Sequence, residues 1–138
     1  MSSLGASRIP NPHYAATRFH VAALPDCWPA EFVIITAYEP TGQEWSETEN
    51  HAADESLSAE LEALNIWRVR IIGYSPNTGH AESGWAVELP IETGRELGRH
   101  FHQDAIFLIC GDDLGYVHCT ADNSIIWLGR FRERIAAS

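Results

Sequence analysis

Seven histidines, nineteen acidic residues and three cysteines carry the groups that could do chemistry in this chain, and their spacing decides which could act together. His80 and Glu82 stand two apart and offer an imidazole and a carboxylate for acid-base work or for zinc. His100 and His102 add two imidazoles at an expected helix end. No spacing among them matches a metal motif, and histidines there ordinarily meet the helix's last carbonyls, so His80, His100 and His102 are weak metal candidates. Glu39, Glu44, Glu47 and Glu82 could furnish a carboxylate pair for acid-base work, but most of them read as solvated loop residues, and Glu47 and Glu49 suit a helix N-terminus. His118 and Cys119 resemble a nucleophile pair, but neighbours on a strand point to opposite faces and cannot share a proton. Asn50 and Gln103 are harder to dismiss, because an amide near apolar elements must find partners for both its donor and its acceptor.

Charge narrows the classes further. At a formal −10, the chain is a poor ligand for duplex nucleic acid, whose backbone is bound by cations replacing counterions. All nine basic residues are arginines. Without lysine there can be no Schiff base, no pyridoxal phosphate attachment and no P-loop, and no cofactor is indicated. Arg130, Arg132 and Arg134 alternate along an expected terminal strand and read as a solvated face. Cys27, Cys110 and Cys119 are odd in number and irregularly spaced, which fits reduced thiols in a cytoplasmic protein. No apolar run approaches a signal peptide or a membrane span.

The elements that must hold these groups follow from periodicity. After a polar arm over residues 1–13, a single domain is expected over 14–138, beginning with a strand from Tyr14 to Ala23. Phe32-Val33-Ile34-Ile35 is continuously apolar, the mark of a strand at 31–38 buried on both faces and ended by Pro40. Ser46 and Glu49 have capping-box spacing, so a helix follows over 49–65, with Ala53, Leu57, Leu61 and Leu64 as its buried stripe and Asn50 at the head of it. Strands are expected at 66–74 and 85–89, then a helix at 92–102 whose Gly94 and Gly98 allow close approach to a sheet. Three more strands fall at 105–110, 114–119 and 125–132.

Several segments, taken in order, resemble an uncharacterised bacterial family, domain-of-unknown-function family 3293. They are Y-A-A-T-R-F-H-V from Tyr14, F-V-I-I-T-A-Y-E-P from Phe32, E-T-E-N from Glu47, E-S-G-W-A-V from Glu82 and F-H-Q-D-A-I-F from Phe101. The resemblance implies a site drawn from Thr36, Ala37, Pro40, Asn50, Glu82 and Gln103; where the family pattern carries asparagine before the proline, this chain has Glu39. It supplies positions and no chemistry.

The order of elements contains a βαββαβ core, the pattern of ferredoxin-like α+β domains with a mainly antiparallel sheet, extended by one N-terminal and two C-terminal strands. In that topology strands 31–38 and 105–110 form the central pair, and the Arg68/Arg70 strand lies on an edge. One end of the sheet would then gather Asn50, Glu82 and Gln103 within about 10 Å, close enough to share a ligand. The second sheet face needs a cover from the terminal strands, the arm or a second subunit, so a homodimer stays open. Two functions fit: a binding or accessory module taking a small polar ligand or peptide at Thr36, Glu39, Asn50, Glu82 and Gln103, or a small hydrolase or transferase using Glu82 with the nearby histidines.

Overall fold

The computed structural model describes residues 12–38, 44–120 and 122–137; residues 1–11 of the arm, and with them Glu39 and Pro40, lie outside the described residues. In chain order the elements are α1 (Pro12–Ala15), β1 (Arg18–Val21), β2 (Glu31–Thr36), α2 (Glu47–Leu64), β3 (Arg68–Tyr74), β4 (Ala81–Val87), α3 (Ile91–His100), β5 (Ala105–Cys110), β6 (Asp113–His118), β7 (Ile126–Arg130), a 3-10 turn (Phe131–Glu133) and β8 (Ile135–Ala137). The fold is mixed α+β, with two long helices on a curled eight-stranded sheet of order β7-β6-β5-β2-β4-β3-β1-β8. Only β1 and β8 run parallel; the other neighbouring pairs are antiparallel.

Local sequence explains where α2 begins. Ser46 Oγ accepts from the Glu49 amide at 3.1 Å, and Glu49 Oε1 accepts from the Ser46 amide at 3.0 Å, the reciprocal bonds of a capping box. Period-2 alternation then sorts the sheet into two faces. Val33, Ile35, Ile106, Leu108 and Val117 meet Leu57 and Leu61 of α2 on one face. Phe19, Phe32, Ile34, Ile71, Ala86, Ile109 and Leu114 form a second core on the other. The Phe19 and Phe107 rings, on β1 and β5, lie 5.1 Å apart although four strand spacings separate their strands, about 19 Å on a flat sheet. The sheet therefore curls around this second core. Phe131 closes it, 5.7 Å from the Phe19 ring and 5.5 Å from the Phe32 ring, so the chain's own terminal segments cover the second face.

Several expectations are corrected. The strand at 14–23 begins as the helical turn α1, where Pro12 occupies the first position, which needs no amide donor. β4 starts at Ala81 because the connection shrinks to a tight turn, with Ser75 N donating to His80 O at 2.8 Å, and Glu82 becomes a strand residue. The strand at 125–132 breaks at Phe131 so that its ring can enter the core, and the chain resumes as β8, which makes three added C-terminal strands instead of two. Arg134 is drawn inward, donating to the carbonyls of Ala15, Thr17 and Leu128, while Arg130 and Arg132 pair with Asp112 and Asp113. β3 is no edge: it lies between β4 and β1. Its alternation arises because Val69 and Ile71 face the second core while Arg70 stacks on Trp85 and pairs with Asp54 of α2. The sheet's middle pair is β2 and β4, with β5 beside β2. Leu64, at the end of the expected stripe, is half exposed, as is Trp127.

Candidate functional site

Thr36 is the last residue of β2 and shares the parity of Phe32 and Ile34, so its side chain joins the concave face where the apolar stripe turns polar. Glu82 does the same on β4, two residues from Gly84 and four from Ala86. Gly84 pairs with Thr36 across the ladder, and a Cβ there would stand 2.5 Å from Ile35 O and 2.6 Å from Thr36 Cγ2. Glycine at 84 is what lets the two strands close around the threonine.

The third member arrives on a helix end. Gln103 N donates to Gly98 O at 2.9 Å and His102 N to Arg99 O at 3.1 Å, with His102 in the left-handed region at φ 59°: a Schellman closure of α3. This turn fixes the backbone of Gln103 and aims its side chain at β2. Nε2 donates to Tyr38 O at 2.8 Å and to Phe101 O at 3.2 Å. Two carbonyls can only accept, so the nitrogen must face them and Oε1 must face Thr36. Thr36 Oγ1 lies 3.1 Å from Gln103 Oε1 and 3.1 Å from Glu82 Oε1. The other Glu82 oxygen is 2.9 Å from His80 Nε2, and the His80 ring stands edge-on to Tyr38.

These groups border a cavity of about 100 Å3 at one end of the concave face, whose walls include Tyr14, Phe19, Ile34, Ile71, Phe107 and Asp104. Tyr14 is held by the Tyr116 ring at 4.5 Å and the Phe107 ring at 6.0 Å. Its phenol is pushed up to about 12, first by burial and then by Asp104, Tyr116, Glu82 and Cys119. The phenol stays protonated at neutral pH in surroundings that are electrically negative.

Of the expected site residues, the structure brings together Thr36, Glu82 and Gln103, with His80 against Glu82. Asn50 is buried in the first turn of α2, and that helix packs on the opposite sheet face; among the described residues it does not line the cavity. The element beside the site is therefore the C-terminus of α3 and not the N-terminus of α2. Glu39 falls outside the described residues. His100 pairs with Glu60 of α2 at 3.2 Å, and His102 serves the Schellman turn; neither lines the cavity. Among the described residues no group of three or more His, Cys, Asp or Glu is arranged to hold a metal ion.

His118 lies against the Tyr116 ring, whereas Cys119 is buried in the helix-side core with its thiol raised to about 11, chiefly by burial. Tyr14 and Asp104 were not singled out from the sequence. Asp104 directly follows Gln103, but only the curl of the sheet reveals that Tyr14 reaches the same cavity.

No curated protein and no solved structure matches this chain. The family described as "Protein of unknown function (DUF3293)" matches residues 35–106, a little over half of the chain and the stretch that holds Thr36, Glu82 and Gln103, and the chain belongs to that family.

Proposed function

We propose that this protein is a small binding module whose pocket, at the end of β2 and beside the C-terminus of α3, takes a small polar ligand. One observation carries the reading: the Glu82 carboxylate of β4 and the Gln103 amide from the turn after α3 converge on the Thr36 hydroxyl of β2, each at 3.1 Å, beside a cavity large enough for a chemical group. A pocket of apolar walls with a few convergent polar groups is the usual form of a small-molecule site. The scaffold we propose is ferredoxin-like; in support, β5-β2-β4-β3 are consecutive and antiparallel, as a βαββαβ unit requires. The test is native mass spectrometry of the purified protein and of Glu82→Gln. A non-covalent mass on the wild type that is lost in the variant supports the reading. An identical set of bound masses on both proteins contradicts it.

A second reading has its own observation. Glu82 Oε2 and His80 Nε2 stand 2.9 Å apart, both residues lining the cavity, a spacing over which a proton can pass, as a small hydrolase or transferase would need. Turnover of an ester or amide panel that disappears in both His80→Ala and Glu82→Gln supports it; turnover unchanged in either variant excludes it.

A further inference from the structure

The hydrogen count at the pocket's polar end is one-sided. Thr36 has a single hydroxyl hydrogen, and two acceptors stand at the same distance from it. Gln103 cannot help, because both of its N–H bonds are committed to Tyr38 O and Phe101 O. Glu82 as a carboxylate can only accept. Thr36 can therefore satisfy only one of the two acceptors at a time, and the other, half-buried, is held at a cost in free energy until another group donates to it. The charged groups repeat the asymmetry. Glu82 and Asp104 line the cavity, among the described residues no arginine does, and the chain contains no lysine. Tyr14 lines the same cavity, its phenol raised first by burial and then by Asp104 and Glu82 among its neighbours.

Size and walls restrict the donor. A water needs about 10–15 Å3 of such space, so about 100 Å3 admits a small head group and a short stem but no large molecule. Phe19, Tyr14 and Phe107 bring aromatic rings to the cavity, where a cation on a ring face gains a further attraction. Ile34 and Ile71 add aliphatic wall. We infer that the group this pocket takes is a small organic cation, a primary ammonium or a guanidinium on a short apolar stem, which donates to Glu82 and Gln103 at Thr36. The inference rests on the pocket reading above and specifies its ligand class. The same chemistry is offered by a free alkylamine and by a lysine or arginine side chain of a peptide.

Isothermal titration calorimetry at pH 8, above the ordinary histidine range, separates these possibilities with four probes on short alkyl stems: n-butylammonium, butylguanidinium, butan-1-ol and butyrate. The expected result is heat from one or both cations alone, weakened about tenfold or more in Glu82→Gln and again by added salt. Asp104→Asn, at an exposed position, gives the same direction without disturbing the Thr36 contacts and serves if Glu82→Gln does not fold. A capped Gly-Gly-Lys-Gly-Gly peptide that binds as tightly as butylammonium assigns the cation to a peptide; binding by the free amine alone assigns it to a small molecule. Butanol or butyrate binding as tightly as the cations overturns the inference and leaves the pocket reading standing. Silence from all four probes overturns both.

Discussion

Thr36 is a small residue with a disproportionate share of the arrangement, since its hydroxyl lies within bonding distance of both Glu82 Oε1 and Gln103 Oε1. Thr36→Val keeps the shape and removes the hydrogen, leaving two half-buried acceptors facing a methyl group. Its expected cost is about 1–3 kcal/mol, read as a lowered urea midpoint at unchanged slope. A loss under about 0.5 kcal/mol, as for an ordinary surface change, would mean that the contact is incidental. Tyr14 and Cys119 make a second prediction, in pH. Each holds its proton more tightly folded than unfolded, Tyr14 at about 12 against 10 and Cys119 at about 11 against 9. Between those values the unfolded chain binds fewer protons than the native one, so their contribution is intact below pH 9 and declines as pH rises from 9 to 12. Denaturant curves at pH 8 and pH 11 should show the decline, and Tyr14→Phe should remove the part of it above pH 10. A decline of equal size in Tyr14→Phe would refute the assignment. Asn50 and Gln103 were visible in the sequence as amides near apolar elements, and Glu82 through the family resemblance. Their company was not, because whether an amide on a helix reaches a cavity depends on which sheet face that helix covers.

At the scale of elements, the alternation rule and the capping box located β2, α2, β3, α3 and β5 to within a few residues. Errors fell where tertiary contacts override local pattern. The break at Phe131 and the early start of β4 both follow from packing that no short window of sequence contains. Asn50 stands at the head of a buried helix face, as its place on the apolar stripe implies, but that face meets Val33 and Ile35 and not the concave side. Leu57 and Leu61 are fully buried on α2, and each change to alanine should cost about 2–5 kcal/mol, the range for an emptied core leucine site. A loss of less than about 1 kcal/mol at either position would put that face of α2 in solvent. Gly84→Ala probes the site through the strands. The added methyl would press on the Ile35 carbonyl and Thr36 Cγ2, so a loss of about 1–3 kcal/mol is expected. The backbone amide of Thr36 should shift in the NMR spectrum with it, and an unmoved Thr36 resonance would show that β2 and β4 do not close on that side chain.

Across the whole molecule, the curl of the sheet turns a list of polar residues into a pocket. On a flat sheet β1 and β5 would be far apart; here the Phe19 and Phe107 rings touch, and Tyr14, Thr36, Glu82, Gln103 and Asp104 border one cavity. Nothing in the periodicity of single strands reports that closure, which is why the second face could be read from the sequence only as needing a cover. The cover is aromatic and intramolecular, built from Trp28, Phe32, Phe131 and Phe19. Among the described residues no helix is long and apolar enough to cross a membrane. The central claim is that this end of the concave face is a binding site organised on Thr36. The side-chain amide of Gln103 is a resident probe of it, since Nε2 is pinned to Tyr38 O and Phe101 O while Oε1 faces Thr36. The most direct test is a 15N-resolved NMR titration of the whole chain with butylammonium, butanol and butyrate in turn. The account predicts that at least one probe moves the Gln103 Nε2 signals together with the Thr36 and Ala105 amides, saturably and with a single affinity. Saturable shifts confined to other surfaces, such as the groove beside Trp127 and Arg130, or no saturable shift at Gln103 with any probe, would contradict it.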